Sequence, residues 1–285
     1  MQPNRQLSSV IRHSLFTYSG WVLLVFMLLV GLALYVWFFC RIELSPENIA
    51  VLIAKTGQDL PSGEILALKP NQKGIQLEVL SEGRYFRNPY RWDWEIAAIT
   101  DIPAGQLGVQ TRLYGHVPLP GQIIAGLDQK GIIAEVLRPG KYRINPYAYS
   151  LELFNATSIP PGSVGVVTSL IGKGVLNDLL PEELRNSFLV GVDMKGVVPK
   201  VLDPGTYYLN PYLVNVVNVT LQSQRFEMSG NDAISFFTQD GFTVRVEGTI
   251  EFSIDRDKAA LLTHRVGDMD DVLKKIILHT LKLNN

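Results

Sequence analysis

One phrase is written three times in this chain without a gap. It reads KGIQLEVLSEGRYFRNPY from Lys73 to Tyr90, KGIIAEVLRPGKYRINPY from Lys130 to Tyr147, and KGVVPKVLDPGTYYLNPY from Lys195 to Tyr212. The fixed skeleton is Lys-Gly, Val-Leu, Gly-x-Tyr and Asn-Pro-Tyr. The asparagines Asn88, Asn145 and Asn210 recur at intervals of roughly 60 residues, and self-similarity at such a period predicts a repeated supersecondary unit.

Two further landmarks recur around the phrase. Ile102-Pro-Ala-Gly-Gln-Leu-Gly-Val returns as Ile159-Pro-Pro-Gly-Ser-Val-Gly-Val, with a degenerate form from Leu44, and Leu-Pro falls at Leu60, Leu119 and Leu180. The intervening runs are short, rich in Val, Ile, Leu and Tyr, and bounded by Gly and Pro, which predicts strands. Each unit is therefore expected to run Ile-Pro-x-Gly, strand, loop, Lys-Gly strand, turn, Asn-Pro-Tyr, strand.

Within the phrase the residue types point to folding chemistry. Pro139-Gly140 and Pro204-Gly205 suit a turn in which Pro presets φ and Gly accepts the positive φ of a type II turn; in the first copy Gly83 follows Glu82 instead. The prolines Pro89, Pro146 and Pro211 hold Asn88, Asn145 and Asn210 extended or in a turn, ending one strand and starting another. Tyr85, Tyr142 and Tyr207 are expected to pack a ring inward with the hydroxyl reaching water or backbone, while Tyr90, Tyr147 and Tyr212 close the motif. A feature present at one offset in every unit serves the folding of the unit, and the phrase is read as structural.

Ahead of the units, a polar tail over residues 1–19 leads into WVLLVFMLLVGLALYVWFF, Trp21 to Phe39. As a helix this stretch spans about 28 Å, close to a hydrocarbon core, with Trp21, Tyr35 and Trp37 near its ends. No small-residue cleavage site follows, so residues 20–40 are expected to be an uncleaved transmembrane helix. Arg5 and Arg12 on one flank balance Arg41 and Lys55 on the other, so positive-inside counting leaves the orientation open. Lys+Arg 26 against Asp+Glu 27 gives a net charge of −1, which argues against a nucleic-acid partner. The sole cysteine, Cys40, excludes disulfides and thiolate metal sites in the rest of the chain.

The third unit carries extra residues around Leu176–Ser187, with a helix-start signature at Pro181-Glu182-Glu183. Beyond Val219 the pattern changes. Phe242 to Ile254 alternates as one half-buried strand, with a bulge or close neighbour at Gly248. Asp255 to Val266 reads as a short helix, and Asp268 opens a second one. The acidic group Asp268, Asp270 and Asp271 is read as complementing the dipole of that helix, not as a metal site. Phe236 and Phe237 are candidates for contact with lipid headgroups, the alternative being a short buried strand before the Asp240-Gly241 turn.

The segment Asp240-Gly-Phe-Thr-Val-Arg-Val-Glu-Gly-Thr-Ile-Glu-Phe-Ser-Ile, followed by Asp-Arg-Asp-Lys-Ala-Ala and a helix, resembles the second half of a band 7 (SPFH) domain, the fold of stomatins, prohibitins and flotillins. Ile159-Pro-Pro-Gly-Ser-Val-Gly-Val-Val and Asp203-Pro-Gly-Thr-Tyr-Tyr-Leu-Asn-Pro-Tyr resemble its first half. The resemblance implies a single N-terminal transmembrane helix, mainly-β tandem repeats over 41–100, 101–157 and 158–222, and an α+β band 7 domain whose second half is 223–285. It also implies a single-pass protein of a bacterial inner (plasma) membrane. Family members continue into a long coiled coil past the point where this sequence stops. Such proteins are scaffolds: copies pack into a ring or cage on the lipid bilayer, organise the enclosed microdomain and regulate membrane proteases. A second reading is an anchored β-repeat stalk that binds an extracellular ligand. No nucleophile elbow, zinc-protease motif or phosphate loop is present, so no catalytic, cofactor-binding or metal residue is named and the chain is expected not to be an enzyme.

Overall fold

The computed structural model describes residues 6–266 apart from 70, 175–183, 185–188, 192 and 231–232. The extra segment of the third unit therefore lies outside the described residues, Leu184 and the stretch 174 and earlier excepted, as does the helix expected from Asp268.

A long helix α1 (Gln6–Phe39) comes first, followed by β1 (Arg41–Leu44), β2 (Asn48–Ala54), β3 (Leu66–Ala67), β4 (Gly74–Leu80), β5 (Gly83–Phe86) and β6 (Trp92–Ala98). Next come β7 (Thr100–Ile102), β8 (Gln106–Arg112), β9 (Gly131–Leu137), β10 (Gly140–Tyr142), β11 (Tyr149–Asn155) and β12 (Thr157–Ile159). Then follow β13 (Ser163–Ser169), β14 (Gly196–Val197), β15 (Gly205–Tyr207), β16 (Val214–Thr220) and β17 (Gln224–Met228). A hairpin of β18 (Ile234–Phe237) and β19 (Thr243–Val246), then β20 (Gly248–Phe252) and helix α2 (Ala259–Val266), complete the described chain.

Within α1, Gly20–Phe39 has a mean hydropathy of 2.7 and none of it is buried against protein. At about 1.5 Å per residue this stretch is long enough to cross a bilayer. Exposed apolar surface of this extent marks contact with a membrane or with other protein. The helix stops at Cys40, whose N–H still donates to Val36 O at 3.2 Å, and the chain turns directly into β1.

The chain divides into two compact units, Met1–Asp101 with Lys141–Tyr149, and Ile102–Gly140 with Ser150–Asn285. In the first, β2 lies inside a four-stranded sheet of order β3-β4-β2-β6. Its sequence NIAVLIA is an apolar run, and Ile49, Ala50 and Val51 are wholly buried, as a strand covered on both faces requires. Ile42, Leu44, Ala50 and Leu52 form the core, with Leu80, Tyr85, Trp92 and Trp94 packed against it. The β2–β4 ladder slips: Val51 faces Val79, but Ile53 faces Ile75. The residues from Gln76 to Glu78 thus stand opposite Leu52 alone, and this bulge turns backbone groups out of the ladder.

In the second unit the same device occurs between β8 and β9, where Val109 faces Val136 and Thr111 faces Ile132. Another sheet has the order β14-β13-β16, and the core over it joins Val164, Val166, Val197 and Val219 to Ala259 and Ala260 of α2. Both glycines of the Gly-Val pairs, Gly108 and Gly165, sit where a side chain would collide. A Cβ on Gly108 would come within 2.9 Å of Ile102 Cδ1, and one on Gly165 within 2.5 Å of Ile159 Cδ1 and 3.0 Å of Val216 Cγ1. Ile102 and Ile159 are each 98% buried, so neither end can swing into solvent.

The stretch Phe242 to Ile254 is two strands, not the single strand its alternation predicts. β19 pairs with β18, and after Glu247 the chain changes partner, β20 pairing with β17 from Gln224↔Phe252 to Met228↔Gly248. Gly248 opens the second ladder, where its missing side chain faces the Met228 methyl at 3.8 Å. Alternation survives a change of partner because the pleat continues, so the pattern alone conceals the break.

Candidate functional site

The Asn-Pro-Tyr turns are built alike. Tyr90, Tyr147 and Tyr212 each donate their backbone N–H to the side-chain oxygen of the asparagine two residues back, at 2.9, 3.0 and 3.0 Å. The backbone oxygen of the same asparagine accepts from two further N–H groups, those of Arg91 and Trp92, Ala148 and Tyr149, or Leu213 and Val214. Proline cannot donate, and asparagine is the side chain that closes this turn on itself.

The side-chain amides then diverge. Asn145 is 3% exposed, and its Nδ2 donates to Gln76 O at 2.9 Å and Leu77 O at 3.2 Å. Asn210, at 4%, donates in the same way to Ile133 O at 3.1 Å and Ala134 O at 3.2 Å. These carbonyls belong to the bulges in β4 and β9. A bulge leaves acceptors without ladder donors, and one primary amide aimed between two of them satisfies both. A second link runs beside each: the Tyr147 hydroxyl donates to Glu95, and that of Tyr212 to Glu152 at 2.7 Å. The Tyr212 ring meets Phe154 edge-on, centroids 5.7 Å apart. Asn88, by contrast, is exposed, and Tyr90 is 77% exposed.

Gly83, Gly140 and Gly205 open β5, β10 and β15 with φ of 137°, 150° and 154°. These values lie well beyond the φ near 80° of a type II turn, because each glycine is drawn into a ladder; Gly83 pairs with Leu44 and Gly205 with Ile159. The region is one that only glycine occupies without strain. Pro139 and Pro204 precede two of these glycines, Glu82 the third. Tyr85 and Tyr207 lay their rings 3.7 Å from the place of the glycine Cβ, and their hydroxyls reach Ser81 Oγ at 3.3 Å and Asp203 O at 2.9 Å. Tyr142 is likewise half-buried. Replacing Gly205 by Val is expected to cost about 1–2 kcal/mol in urea denaturation of the detergent-solubilised chain; an unchanged midpoint would contradict the strained φ.

Hydrogen bonding to the carboxylates of Glu95 and Glu152, aided by desolvation and the like charge that would form, raises the pKa of Tyr147 and of Tyr212 above the ordinary phenol value. A raised folded-state value means that the stabilisation is complete below the unfolded value of about 10 and is lost as pH climbs through the folded one. Urea midpoints should therefore fall as pH rises from about 10, and Tyr147→Phe with Tyr212→Phe should remove part of that dependence. Equal alkaline loss in the double variant would show that other groups cause it.

Phe236 and Phe237 lie in β18, so the strand reading holds for the backbone, but burial does not follow: Phe236 is half-buried, Phe237 is 80% exposed and Phe242 across the turn 71%. A cleft lined by Gly121–Gly126, Leu170–Gly172 and Lys195 offers one charged side chain and no carboxylate, imidazole or thiol. Among the described residues no group of three His, Cys, Asp or Glu is placed to hold a metal ion.

Sequence reasoning missed the two carbonyl pairs, the Tyr–Glu links and the difference between Asn88 and its counterparts. The glutamates were open to discovery: Glu95 and Glu152 stand at one offset from their turns, and Val217 takes that place in the third copy. Residues 157–283 match the family model described as SPFH domain / Band 7 family. No curated protein matches the chain.

Proposed function

Because residues 157–283 match the SPFH domain / Band 7 family model, we propose that this chain is a membrane-anchored scaffold, assembling side by side with copies of itself into a ring or cage. The observation that carries the reading is one chain holding both a match to this domain, of a membrane-associated family, and an apolar helix over Gly20–Phe39 with none of that stretch buried. The anchor would be a single pass in a bacterial inner (plasma) membrane. The assembly organises the enclosed membrane patch or regulates membrane proteases there, without chemistry of its own.

Three tandem β units, 41–100, 101–157 and 158–222, form the body of this scaffold, the third being the first half of the SPFH domain and 223–285 its second half. Matching bonds at the three Asn-Pro-Tyr turns support this, as do strands of equal burial pattern, β6 with β11 and β8 with β13. Ile96 and Leu153, on β6 and β11, point apolar side chains outward at 53% and 44% exposure and suit lateral contact with a neighbouring copy. Phe236 and Phe237 are assigned to lipid contact on the strength of the exposed hairpin end.

Cysteine crosslinking in membranes tests the assembly. On a Cys40→Ser background, Ile96→Cys and Leu153→Cys are expected to give covalent dimers under mild oxidation. Monomer alone at both positions, and at further cysteines placed around the same strands, would contradict side-by-side packing.

A further inference from the structure

The three copies of the phrase differ most where the turn meets whatever precedes it. In the second and third copies those places are apolar: Ile144 and Leu209 half-buried, Ala148 fully buried and Leu213 half-buried. In the first copy the same places hold Arg87 and Arg91, and the strand before them holds Arg84. What precedes this copy is the end of α1. β1 continues from that helix and pairs with β5 in the register Arg41↔Phe86, and Arg87 N–H donates to Cys40 O at 2.8 Å. The guanidinium carbons of Arg41 and Arg84 stand 4.7 and 5.6 Å from the ring centroid of Trp37, in the last turns of the helix.

Two guanidinium groups, those of Arg41 and Arg84, thus stand at the end of the apolar helix, Arg87 is tied to it through its backbone, Arg91 follows on the same turn, and the charges near them do not cancel. Glu43 pairs with both Arg41, at 3.2 Å, and Arg84, at 3.0 Å, while Asp93 is taken by Lys55 at 3.4 Å. Arg87 and Arg91 have no carboxylate partner among the described residues. The Lys55 ammonium also binds Pro89 O at 3.1 Å, adding a further cation on the turn. Phe86 and Tyr90 are 45% and 77% exposed beside them. Buried or half-buried apolar side chains have been exchanged for arginine and exposed aromatic rings at the turn that adjoins the apolar helix. Guanidinium forks bind phosphate oxygens in pairs, and amphipathic rings settle at headgroup depth.

We propose that Arg84, Arg87 and Arg91, with Arg41 and the ring of Tyr90, bind the phosphate groups of anionic phospholipids around the emerging end of α1. The proposal rests on the reading of Gly20–Phe39 as a membrane span. It would fix how the first β unit sits on the surface and enrich anionic lipid around each anchor.

The test uses the full chain reconstituted in phosphatidylcholine vesicles with spin-labelled phosphatidylglycerol or spin-labelled phosphatidylcholine, reading the motionally restricted fraction by electron paramagnetic resonance. The native chain should select phosphatidylglycerol about fivefold over phosphatidylcholine, the order expected for cations held at a membrane surface. Arg84→Gln/Arg87→Gln/Arg91→Gln should bring the ratio close to one. Arg87→Gln/Arg91→Gln, which spares the Arg84–Glu43 pair that helps hold the fold, should lower it severalfold. Lys173→Gln/Lys195→Gln/Lys200→Gln, equal in charge but remote in sequence, should retain native selectivity. No selectivity in the native chain, full selectivity in the arginine variants, or equal loss in the lysine variant would overturn the proposal. Resistance to carbonate extraction is read in parallel, so failure of the span itself is distinguished from failure of lipid selection.

Discussion

Asn210→Ala is expected to lower the stability of the detergent-solubilised chain by about 1–3 kcal/mol, since it leaves two partly buried carbonyls without this donor. The acceptors are Ile133 O and Ala134 O, turned out of their ladder by the bulge in β9. Asn145→Ala should cost as much, through Gln76 O and Leu77 O in β4. Asn88→Ala supplies the internal control. It loses the same turn-closing bond to Tyr90 N but no long-range amide contact, so a cost of about 0.5–1 kcal/mol is expected. Urea denaturation of the three variants checks the ordering. Three equal costs would mean that the turn, not the link to the bulge, is what asparagine provides.

Gly165→Val should cost about 3 kcal/mol by overpacking. The new Cβ alone would stand 2.5 Å from Ile159 Cδ1 and 3.0 Å from Val216 Cγ1, and Ile159 is 2% exposed with nowhere to move. Valine adds two further methyl groups to that space. Paired with Ile159→Ala the loss should shrink, because the cavity made by one change takes up the volume of the other. Additive losses in the double variant would place the clash elsewhere. Gly108→Val tests the same contact against Ile102 and Leu151.

Much of this fold is written plainly in the sequence. The apolar helix, the glycines that open β5, β10 and β15, and the Asn-Pro-Tyr turns are local features, fixed by residue type within a few positions. The partners of Asn145 and Asn210 are not local. They are backbone carbonyls, which carry no side-chain signature, and they are exposed by register slips that depend on how two strands pair. The same limit hid the break after Glu247, where one alternating run serves two ladders. Phe237 shows a different gap: an aromatic residue in a strand invites a buried assignment, but among the described residues no layer covers this two-stranded hairpin end. The Tyr147–Glu95 and Tyr212–Glu152 links stood between these cases, since both members occupy fixed offsets and only their meeting required the structure.

The arginines of the first copy gain meaning only by comparison with the other two. Taken singly, Arg84, Arg87 and Arg91 are ordinary surface cations. Aligned with Ile144, Leu209, Ala148 and Leu213, Arg87 and Arg91 mark where one copy of a turn faces a different neighbour, and β1 shows that neighbour to be the end of α1.

The scaffold reading stands or falls on assembly, and the most direct measurement is the mass of the complete chain after gentle extraction from membranes, determined particle by particle by mass photometry. A single narrow population many times the 31.8 kDa of one chain is predicted. A population at the mass of one chain with its detergent, persisting across mild detergents and native nanodiscs, would contradict it.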